Sequence, residues 1–245
     1  MKTHPRRGRS PGRRAMTALT VTLLCAVPAR GQYYDEPAEP PEARRFLFAG
    51  VGSADFAPLE SNTNPDSGLI AYTSLMPLVG IREGPFELML GYTRYTLAGA
   101  SLSSIMVQTT VSFDILLSGG RTAALVLPIL IAGDYTKAES QGPSRSDFNL
   151  GSVGAGAGLA YRRAGGSLEF SAELGQLLQY SFEGFATVYG FSAASVVRLT
   201  LVFPRVPVLN GLALGYRFRY QSWSMSDKTL NYRLLVHGLS VGVLL

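Results

Sequence analysis

Cysteine occurs once in the 245 residues, at Cys25, and histidine twice, at His4 and His237. A lone thiol excludes a disulfide framework and any paired-cysteine redox or zinc motif. One histidine beyond the first thirty residues is too few for an imidazole metal centre, and no cofactor is implied. Nowhere does the chain reach the run of about eighteen apolar residues that a membrane-crossing helix needs. Positive charge is also scarce outside the front of the chain. Seven of the 22 Lys and Arg (Lys2, Arg6, Arg7, Arg9, Arg13, Arg14 and Arg30) and none of the 17 acids precede Gln32, so the rest carries a net charge of −2. The basic balance belongs to this head, and nothing after it calls for nucleic acid.

What is present begins with that head. It leads into the apolar run Ala15 to Val27 and then Ala29-Arg30-Gly31, a small-x-small cleavage pattern. Residues 1–31 are expected to be a secretory signal peptide, removed before Gln32. Cys25 follows Leu24, where a lipid-attachment site wants a small residue, so it reads as part of the apolar run. Residues 32–45, with Pro37, Pro40 and Pro41 among Glu36, Glu39 and Glu42, read as a periplasmic linker.

From Phe46 the dominant signal has period two. In Leu102 to Leu117, Ile105, Val107, Val111, Phe113, Ile115 and Leu117 alternate with Ser104, Gln108, Thr110, Ser112 and Asp114. A helix would mix the two sets on one face, whereas a strand separates them into an apolar and a polar wall. The alternation recurs with Leu168, Phe170, Ala172, Leu174 and Leu178 against Glu169, Ser171, Glu173 and Gln179. It returns in Tyr189 to Phe203 and Gly211 to Trp223, the latter with Leu212, Leu214, Tyr216, Phe218 and Tyr220 against Arg217, Arg219 and Gln221. Weaker repeats at Phe46 to Ala54, Leu69 to Arg82, Phe86 to Thr96, Thr122 to Tyr135, Asp147 to Arg162 and Asn231 to Leu245 bring the expected strands to ten. One-sided strands of ten or more residues suit a transmembrane barrel better than a soluble sheet, whose strands average about 5 to 6 residues.

Connections and aromatics agree with that expectation. Glu83-Gly84-Pro85, Ser118 to Arg121 and Arg163 to Gly166 read as tight turns. Phe56 to Ser67, Thr136 to Ser146, Ser181 to Val188 and Ser224 to Leu230 read as longer polar loops at the outer end. Pro204 to Asn210 and Ala98 to Ser101 depart from the long-short rule. Aromatics of apolar parity gather near strand ends, Tyr92, Tyr180, Tyr189 and Tyr220 on one side and Phe86, Tyr161 and Phe203 on the other, as interface girdles do. Gly154, Gly156 and Gly158 on the polar wall leave room in a narrow barrel or let the strand bend. The competing architecture is a secreted lipocalin-like barrel with the apolar wall as its core.

The leader, the ten alternating strands and the closing Leu239-x-Val241-x-Val243-x-Leu245 resemble bacterial outer-membrane β-barrel proteins. The resemblance spans Phe46 to Leu245 and is architectural, with no subfamily motif. It implies an all-β, antiparallel up-and-down barrel over 46–245, placed in the bacterial outer membrane among its lipids and inserted by the barrel-assembly machinery. The chain ends in Leu245 where that family usually ends in an aromatic residue.

Enzymes of such a family can be sought directly. A lipid-modifying enzyme would need a lipid-facing histidine with a serine two residues on, but the residue two on from His237 is Leu239. The expectation is therefore a non-enzymatic barrel, either a narrow passage or a structural or surface-interaction protein. Its candidate site is the set of charges of polar parity: Glu87, Asp114, Glu169, Glu173, Arg198, Arg217 and Arg219. These either line a selective constriction or form a self-satisfying ion-pair plug. Glu169, Glu173, Arg198 and Arg217 are expected to meet in one cluster.

Overall fold

Period-two stretches that are apolar on one wall must pair every backbone amide before that wall can enter lipid, and only a closed sheet does this without leaving an edge. The computed structural model, which describes residues 45–63, 69–97, 100–120, 122–141, 146–184, 187–206 and 209–245, has that form. The expected signal peptide, 1–31, and the expected linker up to residue 44 lie outside the described residues, and Arg45, expected to close the linker, opens the first strand. The strands are β1 (Arg45–Pro58), β2 (Tyr72–Glu83), β3 (Phe86–Leu97), β4 (Ala100–Gly119), β5 (Ala123–Gln141), β6 (Ser146–Arg163), β7 (Glu169–Glu183), β8 (Val188–Phe203), β9 (Leu212–Met225) and β10 (Tyr232–Leu244). Each pairs antiparallel with its neighbours in sequence, and β1 closes the ring on β10 from Phe46↔Leu244 to Pro58↔Tyr232. The expected ten-stranded up-and-down barrel is therefore the fold.

Three of the expected outer loops are partly strand, one of them mostly so. Thr136 to Gln141 continue β5, paired with β4 through Ser101↔Gln141 and with β6 through Ser140↔Ser146. There Thr136 and Ala138 are buried inward, while Lys137 and Glu139 form an outward ion pair at 2.6 Å. Polar residues on the outer wall mark a strand that has left the hydrocarbon rather than one that has ended. Likewise Ser181 to Glu183 belong to β7, and Phe56 to Pro58 to β1. What remains at the end away from the termini (the distal end) is 59–71, 98–99, 142–145, 184–187 and 226–231, so the long-short contrast does not hold: 204–211 at the terminal end exceeds most of these. Two of the distal connections dock on each other. A one-turn 3-10 helix, Lys228–Leu230, is capped by Asp227, which accepts from the Thr229 amide at 2.9 Å. Asn62 donates to the carbonyls of Thr229 and Asn231 at 2.9 and 3.1 Å, and Leu59 N donates to Asn231 O at 3.0 Å.

The outer wall is apolar all round. Leu75, Leu239, Leu178 and Phe191, on four different strands, are 71, 66, 64 and 59 % exposed. No soluble protein leaves such a continuous apolar belt in water, which excludes the lipocalin-like alternative. Both girdles are present: Tyr180 stacks on Tyr189 near the distal end, and Tyr161 packs against Phe170 near the terminal end. Gly154, Gly156 and Gly158 do more than leave room. A Cβ on any of them would collide with the carbonyl oxygen of Leu178, Gln176 or Leu174, so β6 and β7 approach more closely there than side chains permit.

Candidate functional site in the lumen

The inward positions of β9 run Trp223, Gln221, Arg219, Arg217, Gly215, Ala213 from the distal to the terminal end, and this ladder touches each layer of the lumen in turn.

At Trp223 the layer is aromatic. Phe56 of β1 stands at its centre, stacked between Tyr72 at 5.4 Å and Tyr232 at 4.8 Å and edge-on to Phe148 at 4.9 Å; Trp223 in turn lies edge-on to Phe148 at 5.2 Å. Met76, Met89, Met106 and Met225 fill the gaps around the rings, where their flexible thioethers suit irregular space. The polar tips are satisfied: the Trp223 indole donates to Ser152 Oγ at 3.3 Å, which in turn bonds Ser181 Oγ, and Tyr72 Oη donates to Ser104 Oγ.

Next comes a buried ion pair in an amide cage. Arg219, 2 % exposed, donates from Nη2 to Asp134 Oδ2 of β5, and Gln179 Nε2 donates to the same oxygen. Gln221 Nε2 donates to Gln179 Oε1 at 3.2 Å and to Ser192 Oγ at 3.3 Å, while Arg219 Nε donates to Gln221 Oε1 at 3.2 Å. Four strands are cross-linked through one carboxylate and two amides. Beyond β9, toward β5 and β7, Leu130, Ala132, Leu177, Ala194 and Val196 form a compact apolar cluster.

The third layer is ionic. Arg217 bonds Glu87 of β3 at 2.5 Å, lies 5.7 Å over the Phe48 ring and touches Met89 Sδ. Arg198 donates to Glu173 at 2.9 Å and to Thr110 Oγ1 at 3.2 Å, and lies 3.9 Å from Glu87. Closer to the termini, Arg162 pairs with Asp114 at 2.7 Å, both about one-third exposed.

All seven charges expected in the lumen point inward, but they do not form one cluster. Glu87, Glu173, Arg198 and Arg217 make a continuous group; Arg219 sits in the layer above it, and Asp114 joins Arg162 below. Arg217 does not meet Glu173: β9 reaches across the lumen to β3 instead. Glu169 opens β7 at the terminal end, opposite Val202. The sequence reading missed Asp134, Gln179, Gln221, Ser192 and Arg162 as members, though each shares inward parity with its strand. It also missed the aromatic layer. His237, on β10, faces outward between Ser53 of β1 and Phe218 of β9, with Arg233 exposed two outward positions beyond it.

No protein-family model matches this chain, and no curated protein matches it. Among solved structures it is similar to the outer membrane protease OmpT of Escherichia coli at a TM-score of 0.45 and 6 % identity, covering 86 % of this chain and 99 % of that one. It is also similar to the translocator domain of the autotransporter NalP of Neisseria meningitidis, at a TM-score of 0.31 and 10 % identity over 94 % and 96 % of the two chains. For the outer membrane protein OprG of Pseudomonas aeruginosa the TM-score is 0.28 at 11 % identity over 83 % and 97 %. The geometry itself is decisive: a closed, even-stranded, antiparallel barrel with an apolar outer wall and polar groups within is the fold of a bacterial outer-membrane β-barrel protein.

Proposed function

We propose that this protein is a closed, non-enzymatic barrel of the outer membrane that serves as a rigid structural or surface-interaction element rather than a diffusion channel. One observation carries the reading: the lumen is crossed in succession by a packed aromatic layer, a caged ion pair and a second ionic group. Eight strands enclose just enough space for side chains to fill, and ten only somewhat more. Here Trp223, Tyr232, Phe56 and Phe148 occupy it with under 2 % exposure each. Ile70 and Leu230, from the distal connections, are buried in the same cluster. Such a barrel presents a stiff distal rim to the exterior and passes nothing through its wall.

The absence of enzymatic activity is part of the proposal. His237, the one histidine after residue 31, faces the lipid without the serine two residues on that lipid hydrolysis of the family would require.

Conductance tests the reading. In planar bilayers the wild-type barrel is expected to be silent; a stable, ion-selective conductance that shifts selectivity on Arg198→Ala would replace the plug with a channel. Maturation provides a separate check. Terminal sequencing of the membrane-inserted protein should find a start at or within a few residues of Gln32; a lipidated chain retaining Cys25 would contradict the export route.

A further inference from the structure

Gln176 occupies the midpoint of β7, on the outer wall, between the exposed Leu174 and Leu178. Its register partners are Ala157 on β6 and Ser195 on β8. Ser195 donates to Gln176 Oε1 at 3.0 Å, and the amide nitrogen finds no acceptor among the described residues. Hydrocarbon offers none either, so two N–H donors are left facing the acyl chains at the depth where they cost most. The contrast is Thr109, also on the outer wall, whose hydroxyl is satisfied by the Gly133 carbonyl at 2.8 Å.

The surroundings of Gln176 have a shape. Leu174, Gln176 and Leu178 form a ridge along β7; beside Gln176 and Leu178 the outward positions are small, Ala157 and Ser195 and then Ala155 and Ala193, whereas beside Leu174 they are Leu159 and Val197. We infer that this face of β6, β7 and β8 is the interface of a homodimer within the membrane, with Gln176 at its two-fold axis. A two-fold axis normal to the bilayer brings each residue against its own copy at the same depth, as an isologous interface requires. A primary amide is self-complementary under that operation. The nitrogen of each Gln176 donates to the other's Oε1, which still accepts from Ser195, and the small residues beside Gln176 and Leu178 let the two walls approach closely there. Lipid cannot supply the acceptor, and a different protein would need a matching amide at this depth.

The mature chain carries no cysteine, so single cysteines report contacts cleanly. In outer membranes, oxidation of Leu178→Cys should give a disulfide-linked dimer, whereas Leu75→Cys should not, because β2 lies diametrically opposite β7. Adding Gln176→Leu should weaken dimerisation about tenfold, the loss of two hydrogen bonds in lipid, while the barrel keeps its heat-modifiable gel mobility. The inference is overturned by no dimer at Leu178→Cys, by equal cross-linking at the two positions, by linkage to another protein, or by a dimer indifferent to Gln176→Leu.

Discussion

Asp134→Ala is expected to destabilise the barrel by about 3 to 5 kcal/mol, because it strands the Arg219 guanidinium in a layer with almost no access to water. The cost arises from the partner left behind rather than from the worth of the bond. Arg219 would keep only its contacts to the oxygens of Gln221 and Gln179, which are neutral, and Gln179 would lose the acceptor for its amide. Removing both charges together, as Asp134→Leu with Arg219→Met, should therefore cost less than Asp134→Ala alone, since replacing a whole buried pair by apolar groups is often neutral. Urea unfolding in lipid vesicles, followed by gel mobility, compares the three proteins. A double variant less stable than the single would mean that the pair contributes net stability and that the cage is more than self-satisfying.

Phe56→Ala should be comparably severe, about 3 to 5 kcal/mol. The ring is wholly buried and contacts Tyr72, Phe148 and Tyr232, so its removal deletes two stacked contacts and one edge-on contact. The void cannot collapse easily, because each neighbouring ring is carried by a different strand of a closed wall. Lipid cannot fill it, because the ring stands inside the barrel, where Ile70 and Leu230 are buried in the same cluster. The same unfolding assay reads the loss; an effect under about 1 kcal/mol would mean that the aromatic layer is loosely packed, contrary to the distances between its rings.

These two sites show where the sequence was and was not legible. Strand number and wall parity were plain in β4, β7, β8 and β9 because each crosses hydrocarbon with apolar residues out and polar ones in. β1 alternated poorly for a physical reason: in its distal half Ala54 and Phe56 fill the lumen, so neither wall is distinctly polar. A rule that sends apolar residues to lipid misplaces such rings, and Trp223 and Phe148 went unnoticed with them. The opposite failure occurred in Thr136 to Gln141, where the outer wall turns polar above the membrane and the strand resembled a loop. For the charges, parity gave the face but neither depth nor azimuth. It put Arg217 in the lumen, where strand order suggested Glu173, two strands away, but the guanidinium reaches Glu87 across the barrel. Asp134 lay at the end of the expected fifth strand, where its inward parity was easy to overlook.

Trp223, the single tryptophan, tests the inside-out assignment with no foreign label. Its fluorescence should be blue-shifted and indifferent both to brominated acyl chains and to water-soluble quenchers, since the indole is 1 % exposed in the lumen. A tryptophan placed on the outer wall, as Leu178→Trp in a Trp223→Phe background, should be strongly quenched by the brominated lipid. Strong quenching of Trp223 itself, with none at position 178, would reverse the walls and contradict the filled barrel.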